Sequence, residues 1–245
     1  MTAVANRGRV REHLLGLAES DPRIVAAAVI GSLAQGYGDR WSDLDLTFGV
    51  DAESSVAEVL EDWTGELAEV FDAVPLLDVS RGDLVYRVFL LADWLQVDLS
   101  FAPETVRQTG AAFNVLFGAH SVEIAPPPSA QALLGWAVLY ARHAMVGIAR
   151  GQWWHAEYCI SCVRDHALTL ACLRRDLPTG YGKGFDQLPA SVREGFAGAV
   201  VRSLEREELL RALAVAVTGL LQEAPDIQAL RTLESQLRGL TISSS

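Results

Sequence analysis

Apolar positions follow two different periods in the first hundred residues and only one in the remainder. The run Arg9-Val10-Arg11-Glu12-His13-Leu14-Leu15-Gly16-Leu17-Ala18 places apolar residues at three- and four-residue intervals, which predicts an amphipathic helix over 8–20. Ile24–Ile30 is a short continuous apolar run rich in β-branched residues, the pattern of a buried strand, and Gly31-Ser32 ends it. Leu44–Val50 predicts a second strand. Val56, Val59, Leu60, Trp63 and Leu67 share one face of a helix over 54–70. Three further strands are expected over 73–79, 84–91 and 94–101, the last two joined through a tight turn at Ala92-Asp93. Pro126-Pro127-Pro128 then interrupts regular structure, since three prolines stiffen the chain and remove its donors. Beyond them the spacing is helical, with helices expected over 130–150, 153–175, 203–222 and 226–238. The expected architecture is α+β, with a small mixed-sheet domain over 1–125 and an all-helical bundle over 129–245.

Charge reinforces that division. The 245 residues carry a net charge of −11. The first 125 hold 8 basic and 20 acidic side chains, a net of −12, and the rest carries +1. So acidic a first half is a poor general binder of phosphate backbones, which argues against a nucleic-acid partner and for cationic ligands or metal ions. No apolar run approaches the roughly 18 residues of a membrane span, and the stretch 209–221 is broken by Arg211 and Gly219. The polar N-terminus has no signal core, and three cysteines imply no disulfide framework. A cytoplasmic protein with no membrane partner is expected, with a homodimer left open.

The chemistry concentrates in residues 31–46. In a strand, residues i and i+2 face the same way, so Asp43 and Asp45 project together while Leu44 and Leu46 enter a core. Paired carboxylates repel unless a cation sits between them, and hard oxygen donors suit Mg²⁺. Asp98 lies among apolar neighbours in Val97-Asp98-Leu99, where an unpaired carboxylate is costly. If its strand lies beside that of Asp43 and Asp45, three carboxylates converge, enough for one or two divalent ions. Gly31-Ser32 directly after a strand offers close backbone approach and a hydroxyl for phosphate, and residues 33–37 are expected to begin a helix whose free amides favour an anion. Each element alone has an ordinary explanation as a turn or a solvated strand end. The combination is far more specific.

Gly31-Ser32, Ser42-Asp43-Leu44-Asp45-Leu46 and Val97-Asp98-Leu99 together resemble the signature of the DNA polymerase β-like nucleotidyltransferase superfamily. Chain size and the helical second half are similar to its antibiotic-modifying branch, the aminoglycoside and lincosamide nucleotidyltransferases. The motif resemblance covers residues 24–101. It implies ATP or another nucleoside triphosphate as co-substrate, two Mg²⁺ ions, and transfer of a nucleoside monophosphate to a hydroxyl of a small acceptor with release of pyrophosphate. It implies Asp43 and Asp45 as metal ligands, Gly31 and Ser32 at the triphosphate, Asp98 as a third ligand or as the base, and the helical domain as the other wall of the substrate cleft. The rival expectation is a regulatory member of the same fold, acting in protein adenylylation or as a toxin-neutralising partner.

The second half adds less. Lys183, the sole lysine, stands in Gly180-Tyr181-Gly182-Lys183-Gly184, where it is either a solvated loop residue or a mobile charge for the triphosphate. Glu157 and Asp165 are eight residues apart on one helix face, with Arg164 beside them and Arg142 and Arg150 as expected partners. They read as a polar network, and the resemblance makes Glu157 a second candidate for the base. Cys159, Cys162 and Cys172 read as small buried residues rather than zinc ligands, because a helix does not supply a knuckle turn. Trp136, Trp153 and Trp154 read as core or cleft walls.

Overall fold

The computed structural model describes residues 3–36, 38–110, 112–224 and Gly239. The chain forms two compact units, Met1–Ala125 and Pro126–Ser245. The helix expected over 226–238 lies outside the described residues.

The first unit runs α1 (Ala3–Ser20), β1 (Ile24–Ile30), α2 (Gly31–Ala34), β2 (Leu44–Val50), α3 (Val56–Phe71), β3 (Val74–Arg81), β4 (Leu84–Leu90), β5 (Gln96–Pro103), β6 (Val106–Gln108), β7 (Phe113–Phe117) and β8 (His120–Val122). Six strands form one mixed sheet in the order β3-β4-β5-β2-β1-β7. Only β2 and β5 within it run parallel, and their register sets Asp45 opposite Asp98. The small β6 and β8 pair separately. One sheet face carries Leu44, Leu46, Phe48, Val97, Leu99 and Phe101, which pack with Trp63 and Leu67 of α3 and Leu14 of α1. Phe48, Phe101 and Trp63 form a triangle of ring contacts at 4.8–5.3 Å. The period-two pattern therefore turns Asp45, Thr47, Asp98 and Ser100 to the opposite face.

The second unit holds α4 (Ala130–Ala149), α5 (Trp153–Leu173), a short 3₁₀ turn (Phe185–Gln187), α6 (Ala190–Ala197) and α7 (Arg206–Glu223). Ser129 caps α4 by accepting from the Ala132 amide. Ala137, Ala141 and Ala144 of α4 join Ala156, Ile160, Val163 and Leu213 in one core. Against expectation, α4 does reach the length and mean hydropathy (1.4) of a membrane span, and is alone in this among the described helices. Ala137, Ala141 and Ala144 turn one face of it onto α5 and the bundle core, while Trp136 and Leu139 on it are exposed.

Several local expectations change. The helix foreseen from residue 33 is a single turn over Gly31–Ala34, so it has no run of free amides to present to an anion. Trp94 is not in a strand but in the β4–β5 turn, with φ of 62°. Strands β6, β7 and β8 and helix α6 carry too few residues to show a period.

Candidate active site

The site is built where β2 and β5 begin and β1 ends. Asp43 immediately precedes β2, Asp45 is its second residue and Asp98 is the third of β5. One carboxylate oxygen from each lies within 4.8 Å of the other two. This is the convergence foreseen from the sequence. Asp98 is 3% exposed. Gln96 donates its amide to both Asp98 oxygens, at 3.0 and 2.9 Å, and the Tyr86 hydroxyl donates to Oδ2. Burial raises the Asp98 carboxyl above the usual range. The donors Tyr86 and Gln96 oppose that shift, the charge of Asp43 adds to it, and a hydrogen bond with Asp45 opposes it. The Tyr86 hydroxyl is itself raised, by burial first and then by its bond to Asp98.

Gly31 backs directly onto this cluster. Its φ is +70°, and a Cβ there would meet Asp45 Oδ2 at 2.2 Å. Glycine is required twice over, by the left-handed backbone and by the space Asp45 occupies. The Gly31 amide donates to the Ala112 carbonyl, 3.1 Å away. The next hydroxyl, Ser32 Oγ, is buried without a hydrogen-bond partner, and so is Thr47 Oγ1 on the Asp45 face of β2. A buried unsatisfied hydroxyl costs about 1–3 kcal/mol.

Arg7 positions the loop that delivers Asp43. Its guanidinium, buried on α1, donates to the carbonyls of Asp39 (2.6 Å) and Ser42 (2.7 Å). Asp39 Oδ1 accepts from the Trp41 amide and the Ser42 hydroxyl, closing a tight turn. Those two donors hold the Asp39 carboxyl below the usual range. Sequence reasoning missed Arg7, Tyr86, Gln96 and Thr47. Gln96 and Thr47 were accessible, since each lies two residues from a candidate aspartate. Tyr86 needed the β4–β5 register, and Arg7 needed tertiary structure.

The remaining candidates lie in the second unit. Glu157 is half-buried on α5, and its Oε1 accepts from Ser161 Oγ at 2.9 Å. Asp165 pairs with its neighbour Arg164 at 2.8 Å. These contacts replace the partnership foreseen with Arg142 and Arg150. Lys183 is exposed on the loop before the 3₁₀ turn, where Gln187 donates to its carbonyl. Cys159 and Cys172 are buried, Cys162 is partly so, and burial raises all three thiols. The aspartate triad is the only cluster with metal-ligand spacing among the described residues. Trp153 packs on the helical core, while Trp136 and Trp154 are exposed.

The triad fits Mg²⁺. Its donors are hard carboxylate oxygens, one from each aspartate within 4.8 Å of the other two, and carboxylates gathered this closely favour a cation among them.

No family model and no curated protein matches the chain. Among solved structures it is similar to the crystal structure of an aminoglycoside 6-adenyltransferase from Bacillus subtilis, with a TM-score of 0.40 and 12% identity over 94% of this chain and 96% of that one.

Proposed function

We propose that the chain is a metal-dependent nucleotidyltransferase that moves a nucleoside monophosphate, AMP from ATP, to a hydroxyl of a small cationic acceptor such as an aminoglycoside. The observation that carries this reading is the triad: Asp45 and Asp98 in register on neighbouring parallel strands, Asp43 beside them, and a serine-bearing turn against Asp45. Two Mg²⁺ ions held by Asp43, Asp45 and Asp98 would supply charge neutralisation of the triphosphate. Gly31 lets the chain turn close against Asp45, and Ser32 offers its unpartnered hydroxyl to a phosphate oxygen. Tyr86 and Gln96 fix the Asp98 carboxylate plane. The acceptor oxygen forms its bond to the α-phosphorus as the bond to pyrophosphate breaks, and the hydroxyl proton passes to a carboxylate. Asp98 and Glu157 are the two candidates for that base. Lys183 is a mobile charge available to the β- or γ-phosphate. Positioning and charge stabilisation supply most of the rate.

The test is pyrophosphate release from each nucleoside triphosphate with Mg²⁺ and an aminoglycoside panel. Release that requires both acceptor and metal is expected. Silence across all combinations, with no nucleotide binding, would replace the enzyme with a regulatory protein. Glu157→Gln should lower kcat at least tenfold and spare nucleotide binding; an unchanged kcat assigns the proton to Asp98.

A further inference from the structure

A cleft of about 480 Å³ opens beside the triad in the first unit, lined by Arg40, Trp41 and Asp43 from the loop before β2 and by Asp93, Trp94 and Gln96 from the turn before β5. Its two indoles are among the most exposed large side chains described, Trp41 at 78% and Trp94 at 83%. A single exposed aromatic is ordinary, but two lining one cleft at a reactive centre are not. Trp41 is already engaged as a cation receptor, with the Arg40 guanidinium 4.4 Å from the centre of its ring. Trp94 occupies a left-handed backbone position, φ 62°, where glycine or asparagine would sit without strain. The turn is locked by Trp94 N–H to Leu91 O and Leu91 N–H to Leu95 O, both 3.0 Å. A bulky indole is thus held where the backbone disfavours it, which points to a use for the side chain outside the turn.

The cleft shares Asp43 with the triad, and Gln96 is the residue that holds Asp98. The cleft is lined by the segments that lead into β2 and β5, whereas Gly31-Ser32 follows β1, on the other side of β2 in the sheet order β5-β2-β1. In-line transfer puts the attacking hydroxyl opposite the departing pyrophosphate. If the triphosphate occupies the Gly31-Ser32 side, the acceptor belongs in the cleft. Its chemistry agrees: indole faces stack on rings and cations, and the carboxylates of Asp43 and Asp93 attract ammonium groups, one of which would take the place of the Arg40 guanidinium over Trp41.

We propose, resting on the nucleotidyltransferase reading above, that Trp41 and Trp94 wall the acceptor subsite and select a cationic, sugar-like ring. The test measures binding without nucleotide, by calorimetry, for kanamycin and streptomycin as amino-sugar probes, maltotriose as a neutral ring and AMP as a nucleobase. Wild-type protein should bind at least one amino-sugar and prefer it to maltotriose. Trp41→Ala and Trp94→Gly should each weaken that binding at least tenfold, with AMP affinity unchanged. Trp94→Gly should keep or raise Tm, because glycine relieves the left-handed position, and this separates loss of a wall from loss of fold. Unchanged amino-sugar affinity in both variants, a loss of AMP affinity in its place, or no amino-sugar binding by the wild type would overturn the proposal. Turnover is scored separately. Ring binding through the tryptophans without pyrophosphate release keeps the subsite and removes the transferase reading. Release with unaltered acceptor KM in both variants does the reverse.

Discussion

Asp21 and Asp98 are both sheltered carboxylates in the same unit, and their surroundings drive them in opposite directions. Asp21 lies on the helix-covered side of the sheet. Arg23 donates to both its oxygens at 2.9 Å, and the Trp63 indole N–H donates at 3.1 Å. Those donors, Arg23 first, lower its carboxyl to about 2. Arg87 on the same side pairs with Asp78 and Glu61 in the same manner. Asp98 faces the other way. Tyr86 gives it a neutral hydroxyl and Gln96 a neutral amide, its nearest charges are two further aspartates, and burial raises it. One side of the sheet is matched within the protein, acid against base and ring against ring. The other is left electrostatically unfinished, and what would complete it is a cation. A fold gains nothing in stability from such a cluster, which is why the proposed function places binding there.

The largest expected effect comes from breaking the matched side. Trp63→Ala removes an indole that is 1% exposed and packs on Phe48 and Phe101, and it should cost about 3–5 kcal/mol in chemical denaturation. KM values of protein that remains folded should be unaffected. Next is Gly31→Ala, which drives a methyl into Asp45 and strains a left-handed residue. About a hundredfold loss of turnover is expected from the displaced carboxylate, with only about 1–2 kcal/mol lost in stability. A smaller effect sharpens the contrast through pH. The folded-state carboxyl of Asp21 is depressed from 3.8 to about 2, so its contribution is complete above pH 4 and disappears as pH falls through 2. Wild type should exceed Asp21→Asn by roughly 2 kcal/mol at pH 6, and the gap should close near pH 2 in urea titrations.

Much of this was legible from residues alone. The alternation in Leu44-Asp45-Leu46 declared which side chains enter the core and which leave it, and Val97-Asp98-Leu99 repeated the pattern. What period cannot supply is register. The parallel pairing that sets Asp45 against Asp98 is a long-range contact, and it also decides that Tyr86, on β4, meets Asp98. Trp94 reads as a strand residue because tryptophan favours strands, but the turn geometry overrode that preference. Arg7 carries no local signal, because its partners are backbone carbonyls 32 and 35 residues away. Beyond residue 101, β6 and β8 are three residues long, too short for alternation to register.

The central claim is that the unfinished face is a divalent-cation site. Mn²⁺, used as a spectroscopic substitute for Mg²⁺, should be titrated into wild-type protein and Asp45→Asn, with and without a non-hydrolysable ATP analogue, alongside their thermal midpoints. The account predicts Mn²⁺ binding strengthened by the analogue in the wild type and weakened at least tenfold in Asp45→Asn, whose midpoint stays level or rises as the carboxylates cease to repel. Equal Mn²⁺ affinity in the two folded proteins would contradict it.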